Sequence, residues 1–327
     1  MSAPRMTPRE WGLLILLSFI WGGAFFLAAF SLREVNFYAL TFLRVFIAAL
    51  TLGLLALFLR ASFPKGAGEW SRLALLSLFS TAMPFTLLYW AQTHIASGLA
   101  AILNAMTPIF TILIAHIFTQ DERMDARRFM GVLAGIAGVA VIVGPSAIGH
   151  VGSNAWAEAA VLGAGCCYAI AGVYGRRFKG QSPVTLSFAQ MVFASAVLLP
   201  VMLMSGPVLH VEAPSLTVIA AVIALGALST GLAFVMFFRI LASAGATNAA
   251  LVTLLVPVSA ILLGVMILGE SITWRQFAGL ALIVFGLIIN DGRLLQFLRE
   301  RLTRLDGGAV VSGSRGARMI NEPHRLQ

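Results

Sequence analysis

The chain has 327 residues, of which 59% are apolar and only 11% are charged, and its formal net charge is +9. Soluble globular domains carry about a quarter charged residues, so this composition excludes a water-soluble fold and makes lipid the expected solvent. The positive charge does not indicate a nucleic-acid site, because lysine and arginine lie between apolar runs or in the tail and do not alternate with aromatic residues.

Apolar runs of membrane-spanning length recur along the chain. A helix that crosses a bilayer needs about 20 mostly apolar residues. The runs of this length cover residues 11–30, 36–59, 71–91, 98–118, 129–146, 155–175, 183–205, 215–238, 246–268 and 274–291. Most connections between them are short and contain glycine, proline or charged residues, so consecutive spans are expected to be antiparallel. The sequence therefore predicts an all-α integral membrane protein with ten transmembrane helices.

The positive charges predict the orientation of these helices, because cytoplasmic loops of membrane proteins accumulate lysine and arginine. If the N-terminus is inside, only Arg33 and Arg275 lie outside and Arg44 lies within a span, so the remaining 19 of the 22 cations are inside. We therefore predict a multi-pass protein of a bacterial-type plasma (inner) membrane with both termini in the cytoplasm.

Four segments follow from this topology. Residues 1–10 are predicted to be a cytoplasmic N-terminus, residues 11–146 a first five-helix unit and residues 155–291 a second such unit. Residues 292–327 are rich in glycine, serine and arginine, and we expect a basic cytoplasmic tail that is partly disordered.

The two five-helix units are related in sequence. Pro108, Glu122, Gly131 and Gly138 of the first unit match Pro257, Glu270, Gly279 and Gly286 of the second unit. Because five helices separate the copies and five is odd, the second copy must be inserted upside down. The cation bias reverses accordingly, since loop 60–72 carries three cations and its partner 205–214 carries none. Inverted repeats recur in secondary transporters, although channels also contain them.

The doubled pattern resembles the EamA-type drug/metabolite transporter superfamily over residues 10–291, and Trp21-Gly22-Gly23 and Arg44 also fit that family. The second unit carries the better version of the motif, Leu268-Gly269-Glu270, whereas the first unit reads Gln120-Asp121-Glu122. The resemblance implies export or exchange of amino acids, other metabolites or toxic cations. Within the superfamily, the aromatic-rich lining is similar to that of the YddG-like amino-acid exporters.

Arg44 lies within the second predicted span, where a charged side chain is costly and usually faces a cavity or a partner. One interpretation is that its guanidinium anchors a substrate carboxylate. The other is a structural role, in which the side chain extends toward the interface or bridges backbone carbonyls near a loop. The resemblance favours the structural role, because family members with different substrates carry a basic residue here.

Other candidate residues are aromatic or polar and lie inside the spans. The complete candidate set for a substrate cavity is Trp21, Arg44, Phe85, Tyr89, Trp90, Asn104, Thr107, Tyr168, Gln190, Phe234 and Phe238. For each aromatic or polar member, packing between helices is an equal alternative. The matched prolines Pro108 and Pro257 are predicted to lie in mid-helix, where each is either a hinge or gate or a static kink.

No catalytic constellation, metal-ligand cluster or nucleotide-binding motif is found in the sequence, so we expect neither an enzyme nor a cofactor. All 13 acidic residues lie in loops, tails or helix ends, which favours a gradient-driven path over a buried proton relay. Glu122 and Glu270 are predicted to be loop caps rather than coupling sites. The function predicted is a secondary transporter or facilitator that exports small metabolites, foremost amino acids with aromatic or other apolar side chains, and related toxic compounds.

A channel or a lipid flippase is the alternative function. The expected partners are a small-molecule substrate and the lipid bilayer, with no nucleic acid, and the chain is either a monomer or a homodimer.

Overall fold

The computed structural model describes residues 7–63, 66–118, 126–143, 153–178, 180–211, 213–244 and 252–291. The described residues are helical apart from their connections and one isolated antiparallel bridge between Val35 and Leu209. In chain order the α-helices are α1 (Pro8–Ser31), α2 (Phe37–Phe58), α3 (Ala67–Ser77), α4 (Met83–Gln92), α5 (Ser97–Asn104), α6 (Thr107–Phe118), α7 (Ala126–Val143), α8 (Ser153–Gly175), α9 (Pro183–Met204), α10 (Leu216–Ile223), α11 (Ala233–Ala244), α12 (Val252–Leu263) and α13 (Trp274–Asp291).

Three predicted spans contain a π-helical segment. Leu78–Ala82 joins α3 to α4, Ala224–Leu232 joins α10 to α11, and Gly264–Leu268 continues α12. The first two segments occupy corresponding places in the two halves of the chain. A π-turn widens the helix locally and is frequent at functional sites. The side chains of these segments are therefore candidates for a functional site.

The predicted all-α class is confirmed, and described helices overlap each of the ten ranges predicted from the sequence. Within the described residues, seven helical segments are long and apolar enough to cross a membrane. Phe129–Ile142, Leu255–Leu268 and Trp274–Gly286 are shorter apolar helices. The predicted tail, 292–327, and the loop with Glu122 lie outside the described residues.

The fourth predicted span is not one continuous helix. It is interrupted by a turn at Ala105 and Met106, and Pro108 lies in the first turn of α6. The predicted mid-helix position is therefore wrong for Pro108, whereas Pro257 does lie inside α12. Proline lacks an amide hydrogen, and its ring collides with the carbonyl four residues earlier, so the helix is broken ahead of Pro108.

Helix contacts occur in pairs that are related by exchange of the two halves. Helix α1 corresponds to α8, α6 to α12, and α4 to α11. The contact between α1 and α12 therefore matches the contact between α8 and α6, and the contact between α4 and α8 matches the contact between α11 and α1. Helices α2 and α9 occupy corresponding places in the two halves and pack on each other, as do α7 and α13. The described part of the chain therefore has approximate two-fold internal symmetry.

Backbone-to-backbone packing joins α7 to α13. A Cβ atom added to Gly138 would lie 2.7 Å from the carbonyl oxygen of Gly279, and one added to Gly286 would lie 2.5 Å from that of Gly131. Small residues at such positions let helices approach closely in membranes. The two matched pairs of glycines thus form crossed contacts within one chain, Gly138 with Gly279 and Gly131 with Gly286.

Candidate functional site

A cavity of about 720 Å³ lies between the two halves of the chain. This volume falls within the range of about 300–1,000 Å³ typical of ligand pockets. Its wall is mostly apolar and is supplied by both halves. The polar side chains of the wall belong to Arg44, Ser80, Tyr89, Gln92, Asn104, Thr107, Tyr168, Gln190 and Ser229. A largely apolar wall with a few polar groups is the usual composition of a small-molecule site.

Single helix faces supply the wall. On α4 the lining residues are Phe85, Leu88, Tyr89 and Gln92, which follow the i, i+3, i+4 and i+7 spacing of one face. Trp90 is next to Tyr89 in sequence but projects about 100° away around the helix. It does not line the cavity and instead packs against the ring of His94, at a centroid distance of 4.9 Å.

Arg44 of α2 is buried at the cavity wall, with 8% of its surface exposed. Its Nε donates to Oγ1 of Thr230 at 2.9 Å, and its Nη1 donates to Oη of Tyr89 at 2.6 Å. Its Cζ lies 3.9 Å from the centroid of the Phe85 ring, which is a cation–π contact. The structural interpretation expected the side chain to extend toward the interface or to bridge backbone carbonyls. The structure shows neither, because its hydrogen bonds go to two side chains.

The π-helical segment Ala224–Leu232 positions the Thr230 hydroxyl that contacts Arg44. Thr230 Oγ1 also donates to the carbonyl oxygen of Leu225, five residues earlier, at 3.0 Å. The segment approaches α2 so closely that a Cβ atom on Gly226 would lie 3.0 Å from the carbonyl oxygen of Arg44. The first half thus supplies the guanidinium and one acceptor, Tyr89, and the second half supplies the other acceptor, Thr230.

A corresponding contact joins the other π-helical segment to α9. Ser80, in Leu78–Ala82, donates its hydroxyl proton to Oε1 of Gln190 at 2.6 Å. Nε2 of Gln190 donates to the carbonyl oxygen of Leu186 at 3.2 Å, which fixes the amide. Each π-helical segment therefore contributes a hydroxyl to a polar contact with the opposite half, at the wall of the same cavity.

Aromatic rings form two groups around the cavity. Trp21 lies edge-on to Phe234, with centroids 6.5 Å apart, and lies 5.5 Å from Phe237. Phe85 meets Tyr168 edge-to-face at 6.4 Å. Both arrangements are within the preferred range for aromatic pairs, so the rings pack against each other and leave part of their surface toward the cavity.

The structure brings most of the candidate residues to this wall. Those that line it are Trp21, Arg44, Phe85, Tyr89, Asn104, Thr107, Tyr168, Gln190, Phe234 and the candidate hinge Pro257. Trp90 and Pro108 are not among the described residues of the wall. The side chain of Phe238 lies outside the part that the structure describes.

Sequence reasoning missed several wall residues, although some were within reach. Phe25 is four residues after Trp21, and Phe237 is three residues after Phe234. Each therefore shares a helix face with a predicted cavity residue. Ser80 had no such signal, because a run of apolar residues does not reveal a π-turn.

Two glutamates tie the halves together at one end of the bundle. Glu270 accepts hydrogen bonds from the amide and hydroxyl of Ser97, at 2.8 and 2.7 Å, and from the amide of Gly98 at 3.0 Å. Glu34 accepts from the amide and hydroxyl of Ser215 at 2.7 and 3.0 Å. We call this end, which holds Glu34, Ser97, Ser215 and Glu270, the capped end. Glu270 therefore caps the N-terminus of α5 in the other half, whereas the sequence predicted a cap of a loop.

Comparisons with known proteins agree with this architecture. The model of the EamA-like transporter family matches residues 10–144 and again residues 155–290. An uncharacterized transporter of Archaeoglobus fulgidus is 26% identical over 86% of this chain and 98% of its own length. The uncharacterized inner membrane transporter YedA of Escherichia coli strain K12 is 27% identical over 85% of this chain and 89% of its own length.

Two further likenesses concern a named exporter and a solved fold. A probable terminal-alkyne amino-acid exporter of Streptantibioticus cattleyicolor is 26% identical over 91% of this chain and 98% of its own length. A crystal structure superposes with a TM-score of 0.62 over 86% of this chain and 96% of that chain, at 21% identity, which supports the fold alone. Because the family model covers both halves, this chain is a multi-pass membrane transporter that belongs to the EamA-like transporter family.

Proposed function

We propose that this transporter is a secondary carrier that exports small metabolites, foremost amino acids with aromatic or other apolar side chains, by alternating access. The observation that carries the proposal is the cavity between the halves, to which both halves contribute polar and aromatic side chains. Two related halves that enclose one site can exchange conformations around it. The candidate wall residues are proposed to contact the substrate, and Pro257 to serve as a hinge beside it.

The choice of amino acids is supported by the size and chemistry of the cavity. A volume of about 720 Å³ accommodates a molecule of metabolite size, and the rings of Trp21, Phe85 and Phe234 suit an apolar side chain. The relative named as a probable terminal-alkyne amino-acid exporter matches nearly the whole chain. The terminal-alkyne group in that name is apolar, and such a group suits the apolar wall of this cavity.

The proposed topology has ten transmembrane helices in two inverted five-helix repeats, with both termini in the cytoplasm. It is supported by the distribution of cations in the sequence and by the exchange-related helix contacts. In this topology the capped end faces away from the cytoplasm. The carrier would then be closed at that end in the conformation described here.

Purified protein in liposomes tests the proposal. Vesicles are loaded with an unlabelled amino acid, and uptake of a panel of labelled L-amino acids is followed, with protein-free vesicles as the control. A carrier is expected to give saturable uptake in which panel members compete with one another, and this uptake persists when the proton gradient is collapsed. Ohmic ion flux would indicate a channel, and movement of labelled lipid between leaflets would indicate a flippase; either one without amino-acid uptake contradicts the proposal.

A further inference from the structure

We infer that the cavity selects its substrate by charge: it binds molecules that carry a carboxylate and rejects organic cations, because Arg44 presents unoccupied anion-binding donors at the wall. This inference rests on the proposed carrier function and narrows its substrate class. It also separates two kinds of substrate that the family resemblance leaves open, amino acids and toxic cations.

The charge of the cavity is the first observation. Arg44 is the only ionised side chain among the described residues of the wall. The contacts of Arg44 with described residues are those with Thr230, Tyr89 and Phe85, and none of them is with a carboxylate. An unpaired positive charge in surroundings of low dielectric attracts an anion and repels a cation more strongly than the same charge does in water. An organic cation in this cavity would find no opposite charge among these side chains.

The orientation of the guanidinium is the second observation. Its Cζ lies 3.9 Å from the centroid of the Phe85 ring, and the bonds to Thr230 and Tyr89 fix the directions of Nε and Nη1. Arginine has five N–H donors, and these two bonds use two of them. The remaining donors lie on Nη1 and Nη2 and have no partner among the described residues. Adjacent donors on one guanidinium match the two oxygens of a carboxylate.

Two phenol groups extend the site. Oη of Tyr89 accepts the proton of Arg44, so its own hydroxyl proton is available, and no acceptor for it occurs in the described part. Tyr168 packs edge-to-face on Phe85, and its hydroxyl has no hydrogen-bond partner among the residues described. Both tyrosines line the cavity. Arg44, Tyr89 and Tyr168 all contact the ring of Phe85 and offer hydrogen-bond donors beside it. A carboxylate can accept hydrogen bonds from these donors, whereas an ammonium group has no lone pair with which to accept them.

Four probes with the same phenyl ring separate the charge of the ligand from its shape. Phenylalanine carries a carboxylate and an ammonium group, phenylpropionate only the carboxylate, and phenylalaninamide and phenethylamine only the ammonium group. Their dissociation constants are measured by calorimetry on the purified full chain in detergent. We expect the two carboxylates to bind at least about tenfold more tightly than the two cations, because a hydrogen bond to a charged group contributes about that factor.

Variants then assign the selection to Arg44. Arg44→Gln is expected to weaken the two carboxylates by about tenfold or more and to leave the two cations unchanged or tighter. Arg33→Gln is the matched control, because Arg33 also lies over a phenylalanine ring, that of Phe30 at 5.8 Å, but is exposed and outside the cavity. Tyr168→Phe keeps the ring and removes one donor, so it should weaken only the carboxylates.

The outcomes distinguish this inference from the proposed function. If wild-type protein binds the amines as tightly as the acids, or binds none of the four probes, charge selection is overturned, even if liposomes take up amino acids. If Arg44→Gln weakens all four probes equally, Arg44 only holds the halves together and the inference is also overturned. If Arg44→Gln does not fold, the wild-type ratio and Tyr168→Phe still decide. Absence of amino-acid uptake by the wild type refutes the carrier proposal instead.

Discussion

Glu270 joins the two halves through one carboxylate. It accepts three hydrogen bonds at the start of α5, a helix of only eight residues, and satisfies amide groups that have no partner within the helix. The negative charge also interacts favourably with the N-terminal end of the helix dipole. This single side chain therefore stabilises α5, which carries Asn104 to the cavity.

Replacement of Glu270 by alanine is expected to lower the free energy of unfolding by about 0.5–2 kcal/mol, the usual cost of a lost N-cap. Thermal unfolding of the purified variant in detergent measures the change. Glu69→Ala is the control, because Glu69 lies in the first turn of α3 and is exposed. Equal unfolding temperatures for the two variants would show that the Glu270 cap contributes nothing to stability.

Individual site residues were predictable where their chemistry was unusual for a membrane span. Arg44 is the clearest case, since a charge within an apolar run implies a cavity or a partner. Its actual partners were not predictable, because the contact with Thr230 depends on how a π-helical segment of the other half meets α2, and the contact with Tyr89 depends on how α4 packs beside α2. Aromatic character alone does not specify the helix face, since Tyr89 lines the cavity and its neighbour Trp90 does not.

At the level of elements, apolar run length and proline and glycine placement predicted where helices lie but not their internal breaks. Run length reports burial in lipid and is insensitive to whether a turn is α or π. The segments Leu78–Ala82 and Ala224–Leu232 therefore became visible only in the structure. Their backbone carries Ser80 and Thr230, the two hydroxyls that contact the opposite half.

The close packing of α7 and α13 gives a prediction at this scale. Gly138→Ala places a methyl group against the carbonyl oxygen of Gly279 and against Ile283, so the helices must separate. We expect the free energy of unfolding to fall by about 1–3 kcal/mol, the usual cost of overpacking. Thermal unfolding in detergent measures it.

Gly12→Ala is the matched control for that substitution. Gly12 lies in α1, and no atom would approach an added Cβ within 4 Å. Alanine there should stabilise the helix by up to about 1 kcal/mol, because glycine is less favourable than alanine in a helix interior. If both substitutions shifted the unfolding temperature in the same direction by similar amounts, the close approach of α7 and α13 would be contradicted.

The whole molecule combines two related halves, and each half supplies a hydroxyl that forms a hydrogen bond with a polar side chain of the other half. Arg44 of the first half needs Thr230 of the second half, and Gln190 of the second half needs Ser80 of the first half. The sequence repeat predicted that the halves are related, and the paired helix contacts agree with it. The location of the cavity was not predictable, because it depends on how the halves dock.

At the capped end, the connections of the two halves meet in the bridge between Val35 and Leu209. The amide of Asn36 donates to the carbonyl oxygen of Val208 at 2.9 Å, and the amide of His210 donates to the carbonyl oxygen of Glu34 at 2.7 Å. Alternating access requires these contacts to separate when the cavity opens at this end.

A disulfide across that bridge tests the alternating-access proposal most directly. Residues paired in an antiparallel bridge have Cα atoms about 4.5–5.5 Å apart, which suits a disulfide. Val35→Cys and Leu209→Cys are introduced together after the free cysteines Cys166 and Cys167 are replaced by serine. Val35→Cys alone, under the same oxidation, is the control. We expect oxidation to abolish amino-acid uptake into liposomes and a reductant to restore it, whereas uptake at the uncrosslinked rate by fully crosslinked protein would contradict alternating access at this end.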